Sequence, residues 1–177
     1  RSCFSGATAF AAALLFACAP LAAQGTKQSE FTKPVIDIGM VVRDAAASAK
    51  FYTNAIGFTE VNGFPVSAEL GKKIGLIDGH AVKVRVFVLG QGDLATRIKL
   101  LSFPDAPGKA ADQSFIHSTL GIRYLTLYVA STDKALERLR KAGVKPIGET
   151  PLDLGGGTYI VVVRDPDGNF VELIGPK

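Results

Sequence analysis

The sequence predicts an α+β fold in which two tandem β-α-β-β-β modules form a cupped, mostly antiparallel sheet with helices on its outer face. Two observations carry this prediction. A strand pattern, a capping residue, a helix pattern, a glycine and a second strand pattern occur in that order twice along the chain. Each occurrence is followed by two more β-rich segments that flank a turn. A repeat of this length indicates two similar units that pack against each other.

The composition is that of a globular protein. Of the 177 residues, 47% are hydrophobic and 20% are charged, which excludes wholesale disorder. The 19 glycines follow no three-residue period and no heptad pattern continues, so a collagen-like or coiled-coil protein is also excluded. The net charge of +4 is scattered, and no cluster of Lys and Arg alternates with aromatic residues. We therefore expect no nucleic-acid partner.

Residues 1–23 are typical of a secretory signal peptide. Arg1 is their one charged residue, the run 9–17 is apolar, and Ala23 stands at the expected cleavage site. The apolar run is too short and too rich in alanine to span a membrane, and no later segment is long enough either. We therefore expect an exported protein, periplasmic or extracellular, with no membrane span. A buried N-terminal helix is the alternative.

Both cysteines, Cys3 and Cys18, lie inside this segment. Cleavage after Ala23 would leave a mature chain with no thiol, disulfide or cysteine ligand. The residues Leu15-Phe16-Ala17-Cys18 resemble a bacterial lipobox, which would instead make Cys18 a lipid anchor. Phe16 fits that motif poorly, since a small residue is usual there, so the lipoprotein is the second hypothesis.

The first module is predicted over residues 34–103, after a flexible polar leader at residues 24–33. Residues 35–42 alternate and predict a strand with one packed face, formed by Ile36, Ile38, Met40 and Val42. Asp44 is suited to cap the following helix, and Gly57 to end it. The residues at helical spacing are Ser48, Phe51, Tyr52, Ala55 and Ile56. Further strands are expected at residues 58–61, 82–89 and 96–103.

The second module is predicted over residues 120–177, after a linker at residues 104–119 that is rich in Pro, Gly and Ala. Residues 124–129 predict its first strand, and Ser131 or Thr132 the N-cap of its helix. Leu136, Leu139 and Ala142 form the apolar stripe of that helix, and Gly143 ends it. The last two strands, 158–164 and 170–174, flank the turn sequence 165–169, in which Pro, Gly and Asn favour turn conformations.

Both ends of this region resemble the vicinal oxygen chelate superfamily. The opening similarity runs from Val42-Arg43-Asp44 through Phe51-Tyr52 to Gly57-Phe58, and the closing one covers residues 164–174, RDPDGNFVELI. The superfamily includes glyoxalase I, extradiol dioxygenases, methylmalonyl-CoA epimerase, and the fosfomycin and bleomycin resistance proteins. The resemblance covers residues 35–175 and implies this fold with a small-molecule cavity. It says little about the reaction, because the fold hosts many.

The resemblance also implies four candidate ligand positions. Metal-dependent members carry one ligand in the first and one in the last strand of each module, and these positions here are Asp37, Lys99, Tyr124 and Glu172. Only Glu172 is of the usual ligand type, and a charged Lys99 has no lone pair to offer. We therefore expect no metal or other cofactor. A divalent metal remains open, and its ligands would then be Asp37, Glu172 and the linker residue His117.

Strand alternation predicts the side chains that face the concave surface. They are Asp37, Gly39, Val41, Lys83, Arg85, Phe87, Arg97, Lys99, Leu101, Tyr124, Thr126, Tyr128, Phe170, Glu172 and Ile174. Val84, Val86 and Val88 are expected to pack on the helix instead. The cations in this set favour an anionic ligand such as a carboxylate or a phosphate. Alternatively, these Lys and Arg side chains only make a sheet edge soluble or pair with acidic residues. Lys99 would then pair with Glu172 or Asp37.

The candidate catalytic residues are Glu172, Asp37, Tyr124 and Lys99. Either acid would act as the base, while Lys99 and Tyr124 would stabilise developing negative charge. The predicted substrate-binding residues are Arg85, Tyr128, Thr126, Phe87 and His117.

The predicted function is that of an exported protein similar to the glyoxalase, bleomycin resistance and dioxygenase group. It would have a cavity for a small anionic carbonyl or carboxylate compound and a degenerate metal site. The sequence leaves enzymatic activity undecided. The alternatives are a non-catalytic module that sequesters or senses a small molecule, and a metal-dependent lyase, isomerase or dioxygenase with a non-standard ligand set. A homodimer is left open, because such modules pair either within a chain or between chains.

Overall fold

The computed structural model describes residues 30–177. The predicted signal peptide at residues 1–23 and most of the predicted leader lie outside the described residues. Residues Lys33–Lys177 form one compact unit. Within the described range, no helix is long and apolar enough to cross a membrane.

The secondary structure consists of two successive sets of strands, each with a helix after its first strand. In chain order the elements are β1 (Asp37–Val41), α1 (Ala45–Lys50) with a π-helical continuation (Phe51–Ile56), β2 (Thr59–Val66), α2 (Ala68–Lys73), β3 (Val82–Leu89), β4 (Thr96–Leu101), β5 (Tyr124–Tyr128), α3 (Thr132–Lys141), β6 (Ile147–Gly155), β7 (Thr158–Arg164) and β8 (Phe170–Gly175). They form two four-stranded sheets, in the orders β1-β4-β3-β2 and β5-β8-β7-β6. β1 pairs with β4 and β5 with β8 in parallel, and the other pairs are antiparallel. The predicted α+β fold with two tandem modules is confirmed.

The helix of each module begins at the kind of residue that the sequence indicates. The Asp44 carboxylate accepts the backbone N–H groups of Ala46 and Ala47, and therefore caps α1. Gly57 ends the π-helical continuation with φ at 100°, in the left-handed region that favours glycine. In the second module the cap is Ser131, whose hydroxyl accepts the N–H of Lys134.

One hydrophobic core joins the two modules. The buried face of the first sheet contributes Phe87, Ile98 and Leu100, and that of the second contributes Leu127, Val161, Val163, Val171 and Leu173. The helices lie in the same core, where α3 packs against the π-helical continuation. We call the opposite side of each sheet its free face. The first free face carries Asp37, Gly39, Val41, Arg97, Lys99 and Leu101, and the second carries Tyr124, Thr126, Tyr128, Glu172 and Ile174.

Strand β3 is turned the opposite way from the sequence-based prediction. Its register places Phe87 opposite Ile98 and Val86 opposite Lys99, so Phe87 faces the core and Val86 the free face. The expectation that Arg85 and Phe87 face the concave surface, and that the valines pack on the helix, is therefore wrong. The reason is that Ile77 of the segment after α2 buries the valines on the free face, while Arg85 pairs with Glu60 on the helix side. The alternation of valines with Lys83 and Arg85 therefore indicated the wrong face.

The side of β3 that carries the valines is covered by a segment that has no counterpart in the second module. β2 and β3 are joined by residues 67–81, which include α2, whereas β6 and β7 are joined by only two residues. Ile77 in this segment packs against Val82, Val84 and Val86 in a small second cluster. The two free faces are therefore unequal, because only the first carries this extra wall.

Candidate functional site

An ion pair lies on the first free face, at two of the four candidate ligand positions. Lys99 Nζ is 2.8 Å from Asp37 Oδ2, and both side chains are 32% exposed. The parallel pairing of β1 with β4 brings them together, because it places Gly39 opposite Lys99 and Asp37 opposite Arg97. The hydrogen bond from Lys99 lowers the pKa of the Asp37 carboxyl, and the charges of Lys99 and Arg97 act in the same direction. Of the two pairs expected for Lys99, the structure forms the one with Asp37.

Arg97 adds a second cation beside this pair. Its guanidinium makes no ion pair or hydrogen bond with another residue in the part of the chain that the structure describes. Arg97 and Lys99 against Asp37 leave one net positive charge. The three side chains line a depression of about 800 Å³, which we call the cationic depression. Its other walls are Thr59, Val61, Asn62, Phe64, Val86, Val88 and the loop Gly90-Gln91-Gly92.

The second free face carries a different pair. The Thr126 hydroxyl donates a hydrogen bond of 2.7 Å to Glu172 Oε2, because the parallel pairing of β5 with β8 places the two residues opposite each other. Tyr124 and Tyr128 lie exposed on the same face. The four candidate positions are therefore split between the sheets: Asp37 contacts Lys99, while Glu172 contacts Thr126.

Arg85 is held on the core side of the first sheet. Its Nε and Nη2 donate to the two carboxylate oxygens of Glu60, at 2.7 and 2.8 Å, and its Nη1 donates to the carbonyl oxygen of Ala45 at 2.9 Å. The bond from Arg85 lowers the pKa of Glu60. Phe87, two residues on, is fully buried in the core. Both residues lie on the side of the sheet opposite to the cationic depression.

His117 lies exposed in the linker, apart from the strands. Its ring stacks on that of Phe115, with 5.7 Å between the ring centroids. Among the described residues, no three His, Cys, Asp or Glu side chains come together in a way that could hold a metal ion. The alternative ligand set of Asp37, Glu172 and His117 is therefore not assembled within the described chain.

A second cavity on the first free face was missed by the sequence analysis. It has a volume of about 430 Å³, and we call it the apolar cavity. Its lining is Val41, Gly75, Leu76, Ile77, Asp78, His80, Phe103, Ala106 and Gly108. The sequence held only a partial signal: Leu70, Ile74 and Ile77 have the spacing of an apolar helix face, but of these three only Ile77 lines the cavity.

Comparison with known proteins identifies the family. The model of the Glyoxalase/Bleomycin resistance protein/Dioxygenase superfamily matches residues 35–173. A glyoxalase family protein from Bacillus cereus has a similar structure, with a TM-score of 0.68 and 21% identity over 84% of this chain and 97% of that one. A glyoxylase/bleomycin resistance protein/dioxygenase domain from Frankia sp. EAN1pec has a TM-score of 0.56 and 21% identity, over 84% of this chain and 93% of that one.

At these identities the solved structures show a shared fold and nothing finer. No curated protein matches the chain in sequence. The family model, in contrast, spans the strands of both modules from β1 to β8. The chain therefore belongs to the Glyoxalase/Bleomycin resistance protein/Dioxygenase superfamily.

Proposed function

We propose that the protein binds a small anionic carbonyl or carboxylate compound in the cationic depression of the first free face. The observation that carries this proposal is Arg97, which lies beside the Asp37–Lys99 pair and makes no ion pair within the described part of the chain. A guanidinium presents a planar fork of N–H donors that matches a carboxylate, and such charge-assisted bonds are stronger than neutral ones. The surplus positive charge would select an anion over a neutral analogue.

The same residues argue against a divalent cation at the four positions that the family uses for metal ligands. The Lys99 ammonium lies directly on the Asp37 carboxylate, and Arg97 is close enough to lower the pKa of that carboxyl. A cation placed there would meet two like charges, whose repulsion is strong at such distances. Glu172, the one residue of the usual ligand type, is on the other sheet and bonded to Thr126. We therefore infer that the metal site is degenerate.

Binding without catalysis is the form of this function that the site favours. A general base works best when its pKa is near the working pH, whereas the pKa of Asp37 lies below its ordinary value. The other candidate base, Glu172, lies on the second free face and not beside Lys99. A module that sequesters or senses a small anion needs only the cations.

A second copy of the chain is the macromolecular partner that we infer. The second free face exposes two large aromatic side chains, Tyr124 at 48% and Tyr128 at 82%. Neighbouring exposed aromatic side chains are one mark of a protein interface. We therefore propose a homodimer in which the partner covers the second free face.

Export is the remaining part of the proposed function. Its basis is the sequence of residues 1–23, with cleavage after Ala23 and lipid attachment at Cys18 as the alternative. The intact mass of the protein recovered from the secretory route of a bacterial host distinguishes the two forms. A mass that corresponds to the uncleaved chain contradicts both.

The proposed binding is tested by calorimetric titration of the purified protein with pyruvate and with its neutral amide. We expect pyruvate to bind at least tenfold more tightly, and Arg97→Gln and Lys99→Gln each to weaken it by about tenfold, since a charged hydrogen bond contributes about 1.5–3 kcal/mol. The matched control is Lys83→Gln, which removes the same charge from β3 of the same sheet but on the core side. Equal binding of pyruvate and its amide would show that the depression does not select anions.

A further inference from the structure

Gly39, in the middle of β1, is not required by the fold. Its φ is not in the left-handed region, and an added Cβ would meet only Leu101 Cδ1, at an ordinary 4.0 Å. The equivalent position in the second module holds Thr126, since Gly39 lies opposite Lys99 as Thr126 lies opposite Glu172. Glycine weakens a strand interior, and it is found there where a ligand or another backbone approaches closely. The missing side chain therefore leaves open a place on the first free face.

The open space over Gly39 lies between a charged end and an apolar end of the first free face. On β1, Asp37 precedes Gly39 by two residues and Val41 follows it by two. On β4, Lys99 is opposite Gly39 and Leu101 is opposite Val41. The side chains of β4 on this face therefore also change from charged to apolar between these two positions. From Asp37 to Val41 the distance along the strand is about 13 Å, at about 3.3 Å per residue.

The apolar end leads into the apolar cavity. Val41 of β1 and Phe103 of the chain after β4 line it, and Leu76 and Ile77 of the segment after α2 add a further wall. This wall belongs to residues 67–81, which the second module lacks. Gly39 itself lines a smaller cavity of about 190 Å³ with Val41 and Tyr124. Along β1, the open space over Gly39 therefore lies between the position of Asp37 in the cationic depression and that of Val41 in the apolar cavity. Pockets for small ligands have this composition, with mainly apolar walls and a few polar groups that fix orientation.

We infer that the ligand is an amphipathic monocarboxylate, with an alkyl or aryl body about 10–13 Å long. This inference rests on the proposed function of the same site and names its ligand class. The carboxylate binds Arg97 and Lys99, the body crosses Gly39, and the far end enters the apolar cavity. The single net positive charge of Arg97, Lys99 and Asp37 matches one carboxylate rather than two.

The test compares anions that differ only in chain length. The full chain is titrated calorimetrically with acetate, butanoate and octanoate, and with octylammonium as the oppositely charged analogue. Each methylene moved from water to an apolar site contributes about a fourfold gain in affinity. We expect octanoate to bind at least tenfold more tightly than butanoate, and octylammonium to bind at least tenfold more weakly than octanoate.

Gly39→Thr supplies the matched variant, because threonine is the residue that the second module tolerates at this position. It fills the gap without adding charge, and a Cβ there makes only ordinary contacts. We expect it to weaken octanoate by at least tenfold while butanoate changes by less than twofold. The charge variant Lys99→Gln should weaken both acids by a similar factor, and Lys83→Gln should weaken neither.

Three outcomes separate this inference from the proposed function. If octanoate and butanoate bind equally and Gly39→Thr changes neither, the anion site stands and the amphipathic ligand is wrong. If Gly39→Thr instead lowers the molecular mass of the assembly and leaves octanoate unchanged, the gap admits a second copy of the chain, and the inference is again wrong. If octylammonium binds as well as octanoate and Lys99→Gln has no effect, the proposed anion binding itself fails.

Discussion

The Tyr52 hydroxyl donates a hydrogen bond of 2.9 Å to Asp165 Oδ2, and this bond joins the helix of the first module to the closing turn of the second. Tyr52 is fully buried and Asp165 is 5% exposed. The carboxylate also accepts the backbone N–H groups of Asp167 and Asn169 and the side-chain amide of Asn169. Burial, followed by the nearby charge of Asp165, raises the pKa of Tyr52, which keeps its hydroxyl a donor throughout the physiological range.

We predict that Tyr52→Phe destabilises the protein by about 1–3 kcal/mol, because it removes a donor from a buried carboxylate and adds no other. Urea unfolding followed by circular dichroism measures the change. Tyr128→Phe is the matched control, since that hydroxyl is exposed on the second free face and its loss should change the unfolding free energy by less than about 0.5 kcal/mol. Equal stability of the wild type and Tyr52→Phe would mean that the hydrogen bonds within the turn are sufficient to hold Asp165.

Arg85 provides a test of the corrected orientation of β3. Arg85→Met removes the paired bonds to Glu60 and the bond to the carbonyl of Ala45, on the core side of the sheet. We expect a loss of about 1 kcal/mol in stability, limited by the partial exposure of the pair, and no change in the affinity for octanoate. Lys83→Met is the control for stability. A tenfold loss of octanoate affinity in Arg85→Met would mean that Arg85 contacts the ligand, as the sequence predicted.

The contrast between β1 and β3 shows what the sequence alone can predict. In β1 the exposed positions alternate with Ile38 and Met40, which pack on the core. The orientation of Asp37 toward the free face therefore follows from the local pattern. In β3 the facing depends on Ile77, which arrives from the α2 segment and buries the valines from the other side. No local pattern contains that long-range contact.

The candidate site divides in the same way. The neighbouring first and last strands of a module place Asp37 near Lys99, so this pair follows from topology once the module is recognised. The alternative ion pair, between Lys99 and Glu172, could be judged only from the arrangement of the two sheets. The helices share one core between the modules, and Glu172 bonds to Thr126 on its own sheet. That arrangement is set by packing of the helices, which the strand patterns do not encode.

Tyr128 is the position at which the proposed homodimer is most easily tested. It is the most exposed aromatic residue of the second free face, and a lysine there would bury a charge in any interface that covers it. We expect Tyr128→Lys to shift the mass measured by light scattering from two chains toward one at micromolar concentration. Asn54→Lys, at an exposed position of the π-helical continuation, should leave the mass unchanged. A wild-type mass of one chain at all concentrations contradicts the dimer.

The Asp37–Lys99 pair should make a small, pH-dependent contribution to stability. The pKa of Asp37 in the folded chain lies below its ordinary value of 3.8, so its contribution is present above that value and disappears as the pH falls through the folded-state pKa. Because the pair is partly exposed, we expect less than about 1 kcal/mol. The difference in unfolding free energy between wild type and Asp37→Asn, measured from pH 7 down to pH 2, should shrink toward zero. A difference that grows in acid would have the wrong sign for this pair.

Asp37→Asn should strengthen the binding of the anion. In the wild type Asp37 neutralises Lys99, and its replacement by an amide of the same shape leaves Lys99, like Arg97, without an acidic partner. We expect the affinity for octanoate to rise by about three- to tenfold at low salt, and the gain to shrink as the ionic strength increases, because partly exposed charges are screened. Calorimetry at 20 and 300 mM sodium chloride measures both effects. A general base that must bind and activate a substrate gives the opposite expectation, since Asp37→Asn would then abolish turnover without any gain in affinity. An unchanged affinity at low salt would mean that the carboxylate of the ligand does not lie beside Lys99, and would move the anion toward Arg97 alone.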